Sequence, residues 1–252
     1  MKEQRKLNKG GKMLLLFTLV ISSIFLLRPF TVKADVNVNI NKETQIVTDL
    51  IGQYSINYTG DANFFGFYGY YENNNYNEMV KDTDFKATVD TIGKDKIVNS
   101  SIASLKKTDG ATQIEAAYLV WETSVQGKNN TDLVKKAANK AVYFAGSTDK
   151  GAFTKKVNAS YAAVDMREPH LGTKEYTFSC MYVDVTSVVQ KYGYGKYGVA
   201  NIPYAASMKT SNTDKGTHAG ESSSAWQLIV IEKNSKANVR AVSLKIGSHF
   251  NY

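Results

Sequence analysis

The sequence predicts an all-β protein, a two-sheet β-sandwich of jelly-roll-like type with one or two short helices. Short runs with period-two alternation, rich in Val, Ile, Thr, Tyr and Phe, recur along the chain. Clusters of Gly, Asn, Asp and Ser separate these runs, as turns separate strands. So many short strands in one chain favour two packed sheets or a barrel over other architectures.

Strands are predicted along most of the chain. The weaker candidates are residues 36–40, 45–51 and 54–58, and the clearest are residues 114–121, 141–145, 175–183, 196–202, 226–231 and 239–246. Residues 226–231 are nearly all apolar, which indicates a strand covered on both faces. Trp121 and Trp226, the only tryptophans, lie on apolar strands. We therefore expect both in, or at the edge of, a shared core.

Helix is predicted only in small pieces. Four apolar residues between Asp184 and Gly193 share one helix face: Val185, Val188, Val189 and Tyr192. Asp184 or Thr186 can cap this helix and Gly193 can end it. Residues 131–140 are a second helix candidate, whereas the Asn-rich residues 72–77 and the Gly/Ser/Thr-rich residues 211–224 are predicted to be loops.

Residues 1–34 have the three parts of a secretory signal peptide. A basic head precedes an uncharged apolar core, and Val32 and Ala34 are the small residues that a signal peptidase recognises. The core has about 15 residues, fewer than the roughly 20 that span a bilayer, and an uncleaved N-terminal anchor is the alternative. We expect cleavage between Ala34 and Asp35 and export from a Gram-positive bacterium. The product is then a secreted or cell-surface single domain, residues 35–252, with no membrane association.

The charge balance argues against a nucleic-acid partner. The leader holds seven of the 31 Lys and Arg residues and one of the 23 Asp and Glu residues, so 24 basic and 22 acidic residues remain. The basic character of the whole chain therefore belongs mostly to the leader. A domain that binds nucleic acid needs a basic field on its folded surface.

Cys180 is the only cysteine, so the chain has no intramolecular disulfide. Tyr176, Phe178, Cys180 and Tyr182 alternate with Thr177, Ser179, Met181 and Val183, which places Cys180 on the more apolar face of a strand. We therefore interpret Cys180 as a small buried hydrophobic side chain rather than a reactive thiol.

No catalytic residue, metal site or cofactor is predicted. His170, His218 and His249 are the only histidines, and they are not spaced as metal ligands. The sequence has no G-x-S-x-G elbow, P-loop or H-E-x-x-H motif. Asp184 can be interpreted as a calcium ligand or as a helix cap, and the cap is preferred because it needs no ion.

An aromatic and Asn-rich stretch is the candidate binding surface. Six of the eight residues 64–71 are aromatic, and after Glu72 come Asn73, Asn74 and Asn75. Tyr rings beside Asn amides bury large area at low entropy cost, which suits a glycan or an extracellular protein ligand. The candidate residues are Tyr68, Tyr70, Tyr71, Asn73, Asn75 and Tyr76. The alternative interpretation is a core strand followed by an Asn-rich turn.

Several motifs of residues 99–247 occur in the same order in a known module. Gly110-Ala111-Thr112 and then residues 116–121, AAYLVW, correspond to a "GAT…AYLYW" strand. Residues 184–202 correspond to "DVT..V...G.G.Y.VANI", and residues 224–232 correspond to "GWSLVVVYE". The chain thus resembles the N-terminal β-sandwich module of large, repeat-containing, adhesin-like surface proteins of Gram-positive bacteria. The resemblance implies either a free-standing secreted form or the front piece of a longer protein, and it implies no catalytic residues.

Two classes of function remain open. The first is a non-enzymatic binding or adhesion module, and the second is a secreted carbohydrate-active hydrolase on a jelly-roll scaffold. The hydrolase needs two carboxylates about 5–10 Å apart in an open cleft. The candidate carboxylates on or beside strands are Glu115, Glu122, Asp165, Glu175 and Asp184.

Overall fold

Two packed β-sheets form the framework, which confirms the predicted two-sheet β-sandwich. The computed structural model describes residues 37–40, 45–67, 70–75, 77–126, 136–167, 176–203 and 223–247. For residues 37–40, 64–67, 70–75, 124–126, 165–167, 176, 177 and 223 the description covers the backbone alone. All of these residues belong to one compact unit, Val36–Tyr252. The predicted leader lies outside the described residues.

The large sheet contains eight of the described strands. They are β1 (Asn37–Ile40), β2 (Gln45–Phe67), β3 (Tyr70–Asn75), β5 (Ala111–Gln126), β8 (Tyr161–Arg167), β9 (Tyr176–Asp184), β11 (Ser223–Asn234) and β12 (Val239–Ile246). Their order is β1-β8-β9-β5-β11-β2-β12, and β3 pairs with the C-terminal end of β2. β1 pairs with β8 in parallel, and the other described neighbours in this sheet are antiparallel.

The small sheet contains β4 (Ser100–Leu105), β6 (Val142–Thr148), β7 (Gly151–Val157) and β10 (Gly195–Ala200). Its order is β4-β10-β6-β7, and its described pairs are antiparallel. The strand β4 lies at an edge, where β2 of the large sheet shields it. Thr59 and Asn57 of β2 donate side-chain hydrogen bonds to the carbonyl oxygens of Ser104 and Lys106.

The main core lies between the two sheets. Trp121 on β5 and Trp226 on β11 stand directly opposite each other in the pairing register and are 0% and 3% exposed. From the small sheet, Phe144 stacks on Tyr197 with ring centroids 5.6 Å apart. These residues share one apolar cluster, so the predicted shared core of the two tryptophans is confirmed.

A second apolar cluster lies on the outer face of the large sheet. There Tyr54 of β2 and Val242 and Ile246 of β12 pack with side chains of β5, β8, β9 and β11. On β11, the consecutive residues Val230 and Ile231 are both buried, one in each cluster. The strand is therefore covered on both faces at Val230 and Ile231, as expected, whereas Gln227 on its outer face is exposed.

The helix predicted between Asp184 and Gly193 is confirmed as α3 (Thr186–Tyr192). The N-cap residue is Val185, which makes no side-chain cap hydrogen bond, and the preceding Asp184 carboxylate accepts a hydrogen bond of 2.8 Å from the Thr186 backbone N–H. Gly193 ends the helix at φ +76°, a conformation that favours glycine. Of the second candidate, residues 136–138 are helical and residues 131–135 lie outside the described residues.

The helical segment at residues 78–96 was not predicted. It contains α1 (Glu78–Lys81), α2 (Lys86–Ile92) and two 3₁₀ turns (Thr83–Phe85 and Lys94–Lys96). Met79, Phe85 and Ile92 are buried against Ala145 and Ala200 of the small sheet. Each piece is only one or two turns long, so the apolar residues do not recur with the 3.6-residue period of one continuous helix. The sequence therefore gives no periodic signal for a helix here.

Two predictions about residues 45–77 are wrong in detail. Residues 45–51 and 54–58 were predicted as separate strands, whereas β2 is continuous from Gln45 to Phe67. Of the predicted Asn-rich loop at residues 72–77, residues 72–75 belong to the strand β3. Asn has low strand propensity, but backbone pairing of Asn74 and Asn75 with Phe65 and Phe64 at the end of β2 overrides it.

An ion cluster fixes the helical segment to the small sheet. The Lys196 ammonium of β10 lies 2.9 Å from an Asp82 carboxylate oxygen and 2.7 Å from an Asp84 oxygen. The hydrogen bond from Lys196 is the main cause that holds the pKa of Asp82 below its ordinary value of 3.8. An Asp with a lowered pKa in the folded state adds stability above its unfolded pKa, and this stability is lost as the pH falls through the folded pKa.

We predict that Lys196→Met raises the pKa of Asp82 toward 3.8, because the ammonium that stabilises the carboxylate is gone. The stability of the variant should then fall less steeply than that of the wild type below about pH 4. A carboxyl ¹³C NMR titration measures the pKa directly. Lys86→Met is the control, since Lys86 pairs with Asp90 and not with Asp82. An unchanged Asp82 titration in Lys196→Met would contradict the prediction.

Candidate functional site

The hairpin of β2 and β3 carries four of the six binding residues proposed from the sequence. The strand β3 contains Tyr70, Tyr71, Asn73 and Asn75, of which the structure describes the backbone. Tyr68, Tyr76 and the side chains of all six residues lie outside the description. Phe65 of β2 pairs with Asn74 of β3 on one side and with Ser223 of β11 on the other. The hairpin therefore extends the large sheet beyond the beginning of β11.

The polar and apolar sides of β2 are reversed relative to an ordinary half-buried strand. Ser55, Asn57 and Thr59 pair with Glu232, Val230 and Leu228 and share their inner face, while Ile56 and Tyr58 face outward. Ile56 is 55% and Tyr58 is 68% exposed. The inward hydroxyl and amide groups are satisfied by β4 and by Glu232. Apolar side chains thus remain in solvent where a fold optimised only for stability would bury them.

Next to Tyr58, small residues make a shallow groove on the outer face. The pairing register aligns Glu122, Ala225 and Ala62 in one row, and Val120, Gln227 and Gly60 in the next. The pocket in these rows has a volume of about 190 Å³ and is lined by Val120, Trp121, Glu122, Ala225, Trp226 and Gln227. It is open to solvent, and Gln227 and Glu122 are its exposed polar groups.

Gly60 permits the close approach of β2 and β11 at the edge of this groove. A Cβ atom on Gly60 would collide with the carbonyl oxygen of Trp226 and would lie 2.8 Å from the Gln227 Cα. Any larger residue would separate the strands. Because glycine has no side chain, nothing at residue 60 fills the outer face of the sheet between Gln227 and Tyr58.

Comparison with known proteins finds no matching family model, no matching curated protein and no matching solved structure. The groove therefore has to be interpreted from its own chemistry.

Glu122 is the charged group of the groove. Part of its side chain is exposed, yet burial around its carboxyl raises its pKa. On the neighbouring strand, Cys180 stands directly opposite Glu122. Burial first, and then the Glu122 charge, raise the pKa of the Cys180 thiol to about 12. The thiol stays protonated at neutral pH, which agrees with its interpretation as a small packed side chain. The face opposite Cys180, with Met181, belongs to the main core.

The other candidate carboxylates have separate environments. Glu115 pairs with Lys233 at 3.1 Å, and Asp184 accepts a hydrogen bond from the Thr186 N–H at the start of α3. Asp165 lies on β8, two strands from Glu122 and one row further along, so the two Cα atoms are about 12 Å apart by standard strand spacings. The side chain of Asp165 and the whole of Glu175 lie outside the described residues.

Metal binding was not predicted, and the described part of the chain shows no group of three His, Cys, Asp or Glu side chains that could hold an ion. The three histidines at positions 170, 218 and 249 lie outside the described residues. Within the same ranges, no helix is long and apolar enough to cross a membrane.

A buried carboxylate at the other end of β11 was missed by the sequence analysis. Glu232 is 0% exposed, and no cationic side chain of the described residues pairs with it. Tyr194 donates its hydroxyl to Glu232 Oε1 at 2.7 Å and Ser55 donates to Oε2 at 3.2 Å, with Asn57 Nδ2 and the Thr108 N–H each 3.5 Å from Oε1. This network joins β2, β11, the β4–β5 connection and the residue before β10. We interpret it as structural, because every group in it faces another protein group.

Glu232 and the groove differ in whether the sequence carried a signal for them. Glu232 lies two residues after Val230, so the period of a strand places it on the same face as Trp226, Leu228 and Val230. The groove offers no such signal. Its rows join β5, β11 and β2, and only the pairing register brings these strands together.

Proposed function

We propose that this chain is a non-enzymatic binding module of a secreted or cell-surface protein, and that its ligand is bound in the groove of the large sheet. The observation that carries the proposal is the exposed Tyr58 and Ile56 beside an open groove on a strand whose polar residues point inward. A contiguous exposed apolar patch and a concave pocket with a few polar groups are the surfaces that mark interaction sites.

The chemistry of the groove suits a glycan or an extracellular protein. Tyr58 offers a flat ring for stacking, and its two side-chain torsions cost little entropy on binding. Gln227 offers both a donor and an acceptor, and Glu122 an acceptor when ionised. The hairpin with Tyr70, Tyr71, Asn73 and Asn75 begins where the groove ends, since Phe64 pairs with Ser224. A ligand longer than the groove would reach this second set of aromatic and amide residues.

An extracellular address supports the same proposal. Residues 1–34 have the composition of a secretory leader, and the motifs of residues 99–247 resemble those of Gram-positive surface modules. A module displayed outside the cell is in a position to bind an external ligand.

We predict that Tyr58→Ala weakens binding of the module to its target at least about tenfold, which is about 1.4 kcal/mol. The melting temperature should change by less than about 2 °C, because the ring is mostly exposed and contributes little to stability. The probes are immobilised glycans of host and bacterial origin and extracellular-matrix proteins. A binding curve and a melting curve are measured on the same preparations, and Tyr70→Ala extends the test to the hairpin.

Ile51→Ala is the matched control for this prediction, because Ile51 is a second exposed apolar residue of β2, outside the groove. Equal binding by the wild type and Tyr58→Ala would show that the ligand does not bind at the groove.

The alternative function, a carbohydrate-active hydrolase, is favoured by the raised pKa of Glu122 in an open groove. Hydrolysis of polysaccharide by the purified protein, abolished in Glu122→Gln, would replace the binding proposal with that enzyme.

A further inference from the structure

Four buried residues on the inner face of the large sheet form a block, and each of their side chains carries a polar atom. Trp121 stands opposite Trp226, and two residues further on Thr123 stands opposite Ser224. All four are buried, with Thr123 at 2% and Ser224 at 0% exposure. They lie on the same face of two neighbouring strands, so their side chains are neighbours within one corner of the core.

Only one side-chain polar group of this block has a partner among the described residues. Trp226 Nε1 donates a hydrogen bond of 2.8 Å to Ser101 Oγ. Trp121 Nε1, Thr123 Oγ1 and Ser224 Oγ are buried and make no hydrogen bond to any of the described residues. Roughly 90% or more of buried polar groups in proteins have a partner. Three adjacent exceptions therefore point to a shared partner rather than to three separate defects.

We propose that Trp121 Nε1, Thr123 Oγ1 and Ser224 Oγ together bind one internal water molecule. The indole N–H can only donate, and each hydroxyl can either donate or accept. Water can accept from Trp121 and donate to Thr123 and Ser224, which gives it the three hydrogen bonds that buried waters typically make.

Other small guests fit the three groups less well. A cation would face the indole N–H, which has no lone pair to offer. An anion could accept from all three groups, but the block contains no positive charge that would offset its burial. An apolar guest would leave all three polar atoms without partners. A neutral molecule that both donates and accepts is required, and in a fully buried corner water is the smallest such molecule.

The first test is an NMR measurement of water cross-peaks to the two indole N–H protons. The chain has only two tryptophans, so Trp226→Phe assigns both signals. We expect a cross-peak between bound water and the Trp121 indole proton. We expect none at Trp226, whose indole is bonded to Ser101 and serves as the internal control. In Thr123→Val the Trp121 cross-peak should weaken or vanish.

The second test compares the melting temperatures of Thr123→Val, Ser224→Ala and the double variant. Each single change should lower the melting temperature by about 2–4 °C, because the water loses one partner. The double variant should lose less than the sum, because the same water is affected twice. Thr88→Val is the matched control: Thr88 is also buried, and its hydroxyl lies 2.8 Å from Thr154 Oγ1, so its loss shows the effect of one ordinary hydrogen bond.

The proposal is overturned if the Trp121 proton shows no water cross-peak. It is also overturned if Thr123→Val and Ser224→Ala each raise the melting temperature and their effects add. That result means that both hydroxyls are unpaired, because removing an unpaired buried hydroxyl is favourable.

Discussion

Trp226→Ala should lower the free energy of unfolding by about 3–5 kcal/mol, the range for truncating a large buried aromatic side chain. The Trp226 side chain is 3% exposed and stands opposite Trp121 in the main core. Urea unfolding followed by the fluorescence of Trp121 measures the change. A loss below about 1 kcal/mol would contradict the position of Trp226 between the two sheets.

The Trp226 indole is also the end of a buried polar network. It donates to Ser101, and Ser101 donates to Asn63 Oδ1 at 2.6 Å. Asn63 in turn donates to Asn99 Oδ1 at 2.8 Å and to the Val199 carbonyl at 2.9 Å. The network joins β2 and β11 of the large sheet to β4 and β10 of the small sheet.

The comparison of Trp226→Phe with Trp226→Ala separates packing from hydrogen bonding. Phenylalanine keeps most of the apolar contact but loses the N–H, so we expect a loss of about 1–3 kcal/mol, the cost of leaving a buried acceptor with one partner fewer. Similar losses in both variants would mean that the network, rather than the ring volume, sets the contribution of Trp226.

The sequence predicts the sandwich because period two is a strong signal where one face is buried. The strands β5, β9 and β11 are rich in apolar residues, and all three contribute buried side chains to the main core. The signal fails in β2. Its inward Ser55, Asn57 and Thr59 are stabilised by partners on β4 and by Glu232, and these partners are far away in sequence. Alternation alone predicts the opposite orientation of β2, with Ile56 and Tyr58 inside and the polar residues in solvent.

The candidate site was therefore predictable only in part. The aromatic and Asn-rich stretch was recognised by composition, and the structure places the backbone of its residues 64–67 and 70–75 in a hairpin beside the groove. The groove itself depends on small residues, Gly60, Ala62 and Ala225, which carry no chemical signal of their own. They matter because the register aligns them beside Glu122 and Gln227, and register is a tertiary property.

Glu232→Ala should lower the free energy of unfolding by about 3–5 kcal/mol. The change removes a fully buried acceptor and leaves the Tyr194 hydroxyl and the Ser55 hydroxyl without it, at about 1–3 kcal/mol for each unsatisfied group. Glu232→Gln keeps the shape and one acceptor oxygen, so it should cost less. Urea unfolding at pH 7 measures both, and Glu115→Ala is the control, a partly exposed carboxylate paired with Lys233.

Tyr194 gives the same network a signature in the pH dependence of stability. Burial, followed by the hydrogen bond to Glu232, raises the pKa of Tyr194 above its ordinary value of 10.0. A group with a raised pKa in the folded state adds stability below its unfolded pKa, and this stability is lost as the pH rises through the folded pKa. Stability should therefore fall above about pH 10, and it should fall less steeply in Tyr194→Phe. A double-mutant cycle with Glu232→Gln should give a coupling of about 0.5–3 kcal/mol, as expected for residues in one network. Additive losses in that cycle would show that Tyr194 and Glu232 stabilise the sandwich independently.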